Sequence, residues 1–278
     1  MRSTRRWQAA GAAVLLVLVL TACGRAVAGE PQTVDTGCTP AADNPPPSTP
    51  VGPPVITVED RISYWVPNAH TAPLGLSVYP DGTVITAEGN GSHTEPLTPM
   101  TIARVDGCHV RQAVDALAAL ADADFGTPEI TDQGVTTVTV NRSGSAPVML
   151  SAYAFGIGDE YVDRSQAAAR AALTSALQAI EDATSAEHPW VPDRLQVTRF
   201  EDDNPGAART WPLAGPIADL LHQRTYGDLT CGVVDGADAG AVTAALDGEP
   251  VLASWTDGRD TVTLAVGVLV PGQPGCAG

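Results

Sequence analysis

What limits this chain most is where folding can begin. Arg2, Arg5 and Arg6 open it, and Ala9 to Leu20 follows without a charge. An apolar run this short falls below the ~20 residues a helix needs to cross a bilayer, and a basic start followed by such a run reads as a removable export signal. The next thirty or so residues are rich in Pro, Ala, Thr and Gly. Asn44-Pro45-Pro46-Pro47-Ser48-Thr49-Pro50 and Gly52-Pro53-Pro54 exclude a helix or a central strand, because proline fixes φ and lacks the N–H donor. In polyproline geometry, at about 3.1 Å per residue, such a stretch is a semi-extended tether. The globular part is therefore expected to start near Ile56.

The apolar run ends on Leu20-Thr21-Ala22-Cys23. Leucine, two small residues and a cysteine in this order resemble the lipobox of bacterial lipoproteins. The resemblance implies cleavage before Cys23, a diacylglycerol thioether on its sulfur, and attachment to the bilayer on the extracytoplasmic face of the cell membrane. An ordinary secretory signal followed by a cysteine is the alternative. The expected organisation is a signal at 1–22, a tether at 23–55, a first α+β unit at 56–185 and a second at 186–278.

Formal charge is −17, and loss of the three signal arginines makes it −20. A body this acidic is repelled by nucleic-acid phosphates and by anionic headgroups, so no nucleic-acid partner is expected, and lipid rather than charge must hold the protein at a membrane. Lysine is absent. That excludes Schiff-base catalysis, a Walker lysine and a Ser-Lys dyad. Arginine in place of lysine, with abundant Ala, Val, Asp, Gly and Pro, resembles the usage of GC-rich actinobacterial genomes.

Of five cysteines, lipidation of Cys23 leaves Cys38, Cys108, Cys231 and Cys276. An even number in an exported chain reads as two disulfides with three possible connectivities. Pairing Cys38 with Cys108 and Cys231 with Cys276 closes each bond within one half of the chain. No CxxC pair occurs, which argues against a zinc ribbon or a redox dithiol.

Within the body, Ile62, Tyr64 and Val66 alternate as a strand. Leu76 to Tyr79 and Thr83 to Thr86 flank Pro80-Asp81-Gly82, a hairpin signal. Val110, Ala113, Val114, Leu117 and Leu120 place a helix at about 109–124. Strands are expected at 135–141 and 147–154. A second helix is capped by Asp163 with Gln166 three residues on, and buries Ala169, Leu173, Leu177 and Ile180. Later come a strand at 195–200, a short helix with Pro216 in its first turn and Gly227 at its end, a helix at 238–247, and strands at 251–255 and 261–270 joined by Asp257-Gly258. Trp65-Val66-Pro67 recurs as Trp190-Val191-Pro192. Val138-Thr139-Val140 and Cys108 have counterparts at similar offsets in Val262-Thr263-Leu264 and Cys231. These suggest a degenerate tandem duplication of an antiparallel-sheet-plus-helix unit.

Catalytic signatures are weak. There is no GxSxG elbow and no HExxH, and His70, His93, His109, His188 and His222 show no zinc-ligand spacing. Ser92-His93 reads as a loop. Gly156-Ile157-Gly158-Asp159-Glu160 lacks the third glycine of a dinucleotide loop. Glu201, Asp202 and Asp203 form the densest acid run and could offer oxygens to a hard cation, but without the EF-hand order; Asp159, Glu160 and Asp163 are a poorer candidate. Trp65, Trp190, Trp211 and Trp255 could stack on sugars, or fill a core. No catalytic residue, metal site or cofactor is expected. The chain resembles actinobacterial envelope lipoproteins through its lipobox, its Tyr-Pro-Asp-Gly hairpin and its late cysteines, and no activity follows from that. The reading is a non-enzymatic binding or scaffolding lipoprotein with an unidentified envelope partner. The alternatives are a glycan or peptide hydrolase using paired carboxylates and a weak divalent-cation binder.

Overall fold

The computed structural model describes residue 38 and residues 47–61, 74–89, 94–201, 207–224 and 229–276. Strand β1 (Ile56–Arg61) buries Ile56 and Val58 and leaves Thr57 and Glu59 partly exposed, the period of two that sets one face on a core. It is followed by β2 (Leu76–Val78), β3 (Thr83–Ala87) and β4 (Met100–Arg104). The expected hairpin is present, with Leu76 opposite Thr86 and Val78 opposite Val84. The strand expected on Ile62, Tyr64 and Val66 lies outside the described residues.

Helix α1 (Gly107–Ala118) starts two residues earlier and ends six residues sooner than its apolar spacing suggests. Asp106 fixes the start by accepting from the Cys108 N–H at 2.7 Å. Beyond Ala118 the chain tightens into three-residue turns, Leu120 N–H to Leu117 O and Ala121 N–H to Ala118 O. Strands β5 (Val135–Val140) and β6 (Val148–Tyr153) pair as expected. Helix α2 (Arg164–Ala183) carries the full capping box of Asp163 and Gln166. Strand β7 (His188–Trp190) then pairs with β4, so the first sheet recruits chain from beyond residue 185. Among the described residues this sheet runs β6-β5-β1-β2-β3-β4-β7. Val110, Ala113 and Leu117 of α1 and Leu173, Ala176 and Ile180 of α2 share a core with Ile56, Val78, Val84 and Val138 of the sheet.

The second sheet is built from β8 (Arg194–Phe200), β9 (Arg209–Thr210), β10 (Gln223–Arg224), β11 (Thr230–Asp235), β12 (Leu252–Thr256) and β13 (Thr261–Val268). Its order is β10-β11-β8-β13-β12-β9, antiparallel except where β9 joins β12. Two helices accompany it, α3 (Ile217–Leu220) and α4 (Gly236–Leu246). Pro216 caps α3 from outside rather than sitting in its first turn, and α3 ends at Leu220, well before Gly227, because β10 must leave to pair with β11. Gly227 itself lies outside the described residues. The β12–β13 connection spans Asp257 to Asp260, longer than a two-residue Asp-Gly turn.

The architecture is α+β, with two antiparallel-dominated sheets. Residues 37–278 form one compact unit, and one core cluster draws on both sheets, joining Tyr79, Ile85, Met100, Ile102 and Trp190 to Leu195, Val197, Trp255, Leu264 and Val266. The C-terminal segment reinforces this join. Tyr79 donates its hydroxyl to Pro271 O at 3.0 Å, and Gly272 packs so tightly on Gly52 and Pro53 that a Cβ there would lie 2.4 Å from the Gly52 oxygen. Part of the expected tether is thus packed on the body: Pro50 and Pro54 are buried and Val55 N–H donates to Val78 O. Of the residues behind the proposed duplication, Trp65 lies outside the described set, Cys108 opens a helix, and Cys231 sits within β11.

Candidate functional site

Among the described residues, a closely bonded loop is built around Arg170. Helix α2 presents Leu173, Ala176 and Ile180 inward, and Arg170 lies three residues before Leu173 on the same face, fully buried. A buried guanidinium is tolerated only when its N–H groups meet acceptors. Here Nε donates to Asp159 Oδ1 at 2.5 Å, Nη1 to the carbonyls of Phe125 and Tyr153, and Nη2 to Ala154 O at 2.6 Å. The Phe155 ring lies 5.9 Å from the guanidinium carbon. This clamp holds a loop of unusual backbone. Ala154 is left-handed (φ 50°), as are Gly156 (φ 76°) and Gly158 (φ 73°). Gly158 is required by space as well, since a Cβ would stand 2.3 Å from Ile130 Cδ1. The Tyr153 hydroxyl donates to Ile130 O at 2.8 Å and accepts from Gln133 N–H at 3.1 Å. A 3-10 turn at Asp159–Tyr161 follows, and the pinned loop exposes Ile157, Glu160 and Tyr161. The guanidinium is committed inside the fold, and its bonds hold the loop that carries these side chains.

The other built feature is the pair of disulfides, both with the expected partners. Cys38 and Cys108 have Cα atoms 5.6 Å apart, and Cys231 and Cys276 5.9 Å. The first bond is half-exposed at the start of α1. The second is buried, Cys231 completely. Cys38, Asp106 and Cys108 place their potential ligand atoms within 4.8 Å of one another, but with the sulfurs bonded to each other there is no thiolate to ligate a metal.

No family model, curated protein or solved structure matches the chain. The site has to be read from its own chemistry.

Several sequence candidates find other roles. Trp190, Trp211 and Trp255 are buried, and Trp211 meets Trp255 edge to face at 5.6 Å, so these three belong to the core and not to a sugar platform. Trp65 lies outside the described residues, as do Cys23, His70, Ser92, His93, Asp202 and Asp203; Glu201 is described and exposed. Asp159 and Asp163 each have one carboxylate oxygen engaged within the fold. Asp159 pairs with Arg170, and Asp163 accepts from the backbone N–H groups of Ser165 and Gln166. Hydrogen bonds from Ser165 and Gln166 hold the Asp163 carboxyl below the usual carboxylate range. Asp124 is likewise lowered, chiefly by the Gln166 side chain and then by the Gly126 N–H. Glu181 moves the other way, raised by desolvation and then by Asp182 and Glu187, at the exposed end of α2. Burial, then the Asp81 charge, raises the Tyr79 hydroxyl. Arg170 escaped the sequence reading, which took Ala169, Leu173, Leu177 and Ile180 as the buried face. Ala169 and Leu177 are only partly buried, and Arg170 and Ala176 take the inner positions. An arginine in phase with an apolar stripe was the available signal.

Proposed function

We propose that the protein is an extracytoplasmic lipoprotein held at the cell membrane by acyl chains on Cys23, with a non-enzymatic body that binds or scaffolds a partner in the cell envelope. The observation that carries this reading is the ordered series of Arg2, Arg5 and Arg6, an uncharged apolar run, and Leu20-Thr21-Ala22-Cys23. Two disulfides fit an oxidising compartment. The exposed Ile157 and Tyr161 on a loop fixed by Arg170 fit a binding role, because a surface already held in one conformation loses less entropy on association. Cys23→Ala is expected to move the protein from the membrane to the soluble fraction; unchanged partitioning would reject the anchor. Crosslinking in intact cells through Tyr161→Cys, with loss of the captured species when Ile157→Asp is added, tests the loop as the binding face.

A further inference from the structure

We infer that the Cys38–Cys108 disulfide is a thiol-exchange site, opened by a dithiol reductant. The two disulfides differ in exposure and in the elements that carry them. Cys231 and Cys276 are 0% and 7% exposed, beyond the reach of an attacking thiolate. Cys38 and Cys108 are both partly exposed. Cys108 is also the second residue of the twelve-residue helix α1. A thiolate there faces the positive end of the helix dipole, which favours it as a leaving group. Gln112 Nε2 donates to Cys108 Sγ at 3.9 Å. The Arg111 guanidinium reaches the same helix end, 3.7 Å from where a Cβ on Gly107 would stand. Asp106 is the opposing charge, and its Oδ1 is engaged by the Cys108 N–H. A reductant thiolate is therefore expected to attack Cys38 Sγ. The S–S bond breaks, and its electron pair leaves on Cys108 Sγ as a thiolate. The second thiol of the reductant then attacks the mixed disulfide, releasing Cys38 and leaving the reductant as its own disulfide. Two electrons pass to the protein, and no other reactant is needed.

The full-length protein is treated with rising dithiothreitol, quenched with N-ethylmaleimide and mapped by mass spectrometry. Cys38 and Cys108 are expected to be labelled at least tenfold faster than Cys231 and Cys276; simultaneous labelling, or the reverse order, overturns the exchange site. With excess glutathione, the mixed disulfide is expected on Cys38, and its appearance mainly on Cys108 overturns the role given to α1.

Discussion

Arg170 shows how much one side chain can fix. Its replacement by methionine keeps the length of the side chain but leaves the carbonyls of Phe125, Tyr153 and Ala154 without their donor and Asp159 without its cation. Asp159 is about half exposed and can rehydrate; the three carbonyls are the larger loss. Arg170→Met is expected to cost about 3–5 kcal/mol, read as a shift of the urea midpoint. Asp257 offers a pH-dependent case. Its Oδ1 accepts from the Asp260 and Arg259 N–H groups and its Oδ2 from Ile217 N–H, which caps α3 from another element. Those bonds, led by Asp260, hold its carboxyl at about 2. A folded value below the unfolded one means that the unfolded chain takes up the proton first. The stabilisation is thus complete above about pH 4 and is lost as the pH falls through about 2. Asp257→Asn is expected to melt lower than the parent at pH 7, with the difference closing toward pH 2 in a series of thermal melts. At this scale the sequence was only partly legible. The Asp163 cap could be read because its partners lie within three residues. Arg170 could not, because its acceptors come from 11 to 45 residues away, and neither could the bond from Ile217 to Asp257, which spans 40.

Elements were more legible where turn chemistry and periodicity agreed. The Pro80-Asp81-Gly82 hairpin formed as read, and Gly82 is needed there for two reasons. Its φ is 83°, and a Cβ would meet the Val105 oxygen at 2.2 Å, next to the bond from Val105 N–H to Gly82 O. Gly82→Ala is expected to cost about 1–3 kcal/mol in denaturant midpoint. Gly144→Ala is the control. Its φ of 73° is similar but nothing lies within 4 Å, so only the conformational part of the penalty remains. Element ends were less legible. The apolar spacing past Ala118 continued in phase, yet the chain turned, because Asp124 accepts from Gly126 N–H and brings Phe125 back to the core. Pairing overrode local signals again at β7, where His188–Trp190 extends the first sheet.

For the molecule as a whole, the stretch from Pro271 to Cys276 braces the second sheet and meets the first at Tyr79, whose hydroxyl donates to Pro271 O. Cys276 is bonded to Cys231 across 45 residues, its N–H donates to Gln196, and Gln273 O accepts from Arg194. Cys231→Ser/Cys276→Ser is expected to lower stability by about 3–4 kcal/mol in guanidinium titrations. This join was not visible in the sequence, which divided the body near residue 186, because Tyr79 and Pro271 lie 192 residues apart. The acceptor that Tyr79 needs is therefore synthesised 192 residues after it. Assembly of the interior runs against the direction of synthesis: the first sheet waits, incomplete, for a peptide unit made much later, and a stop codon ahead of Pro271 would undo packing around Tyr79.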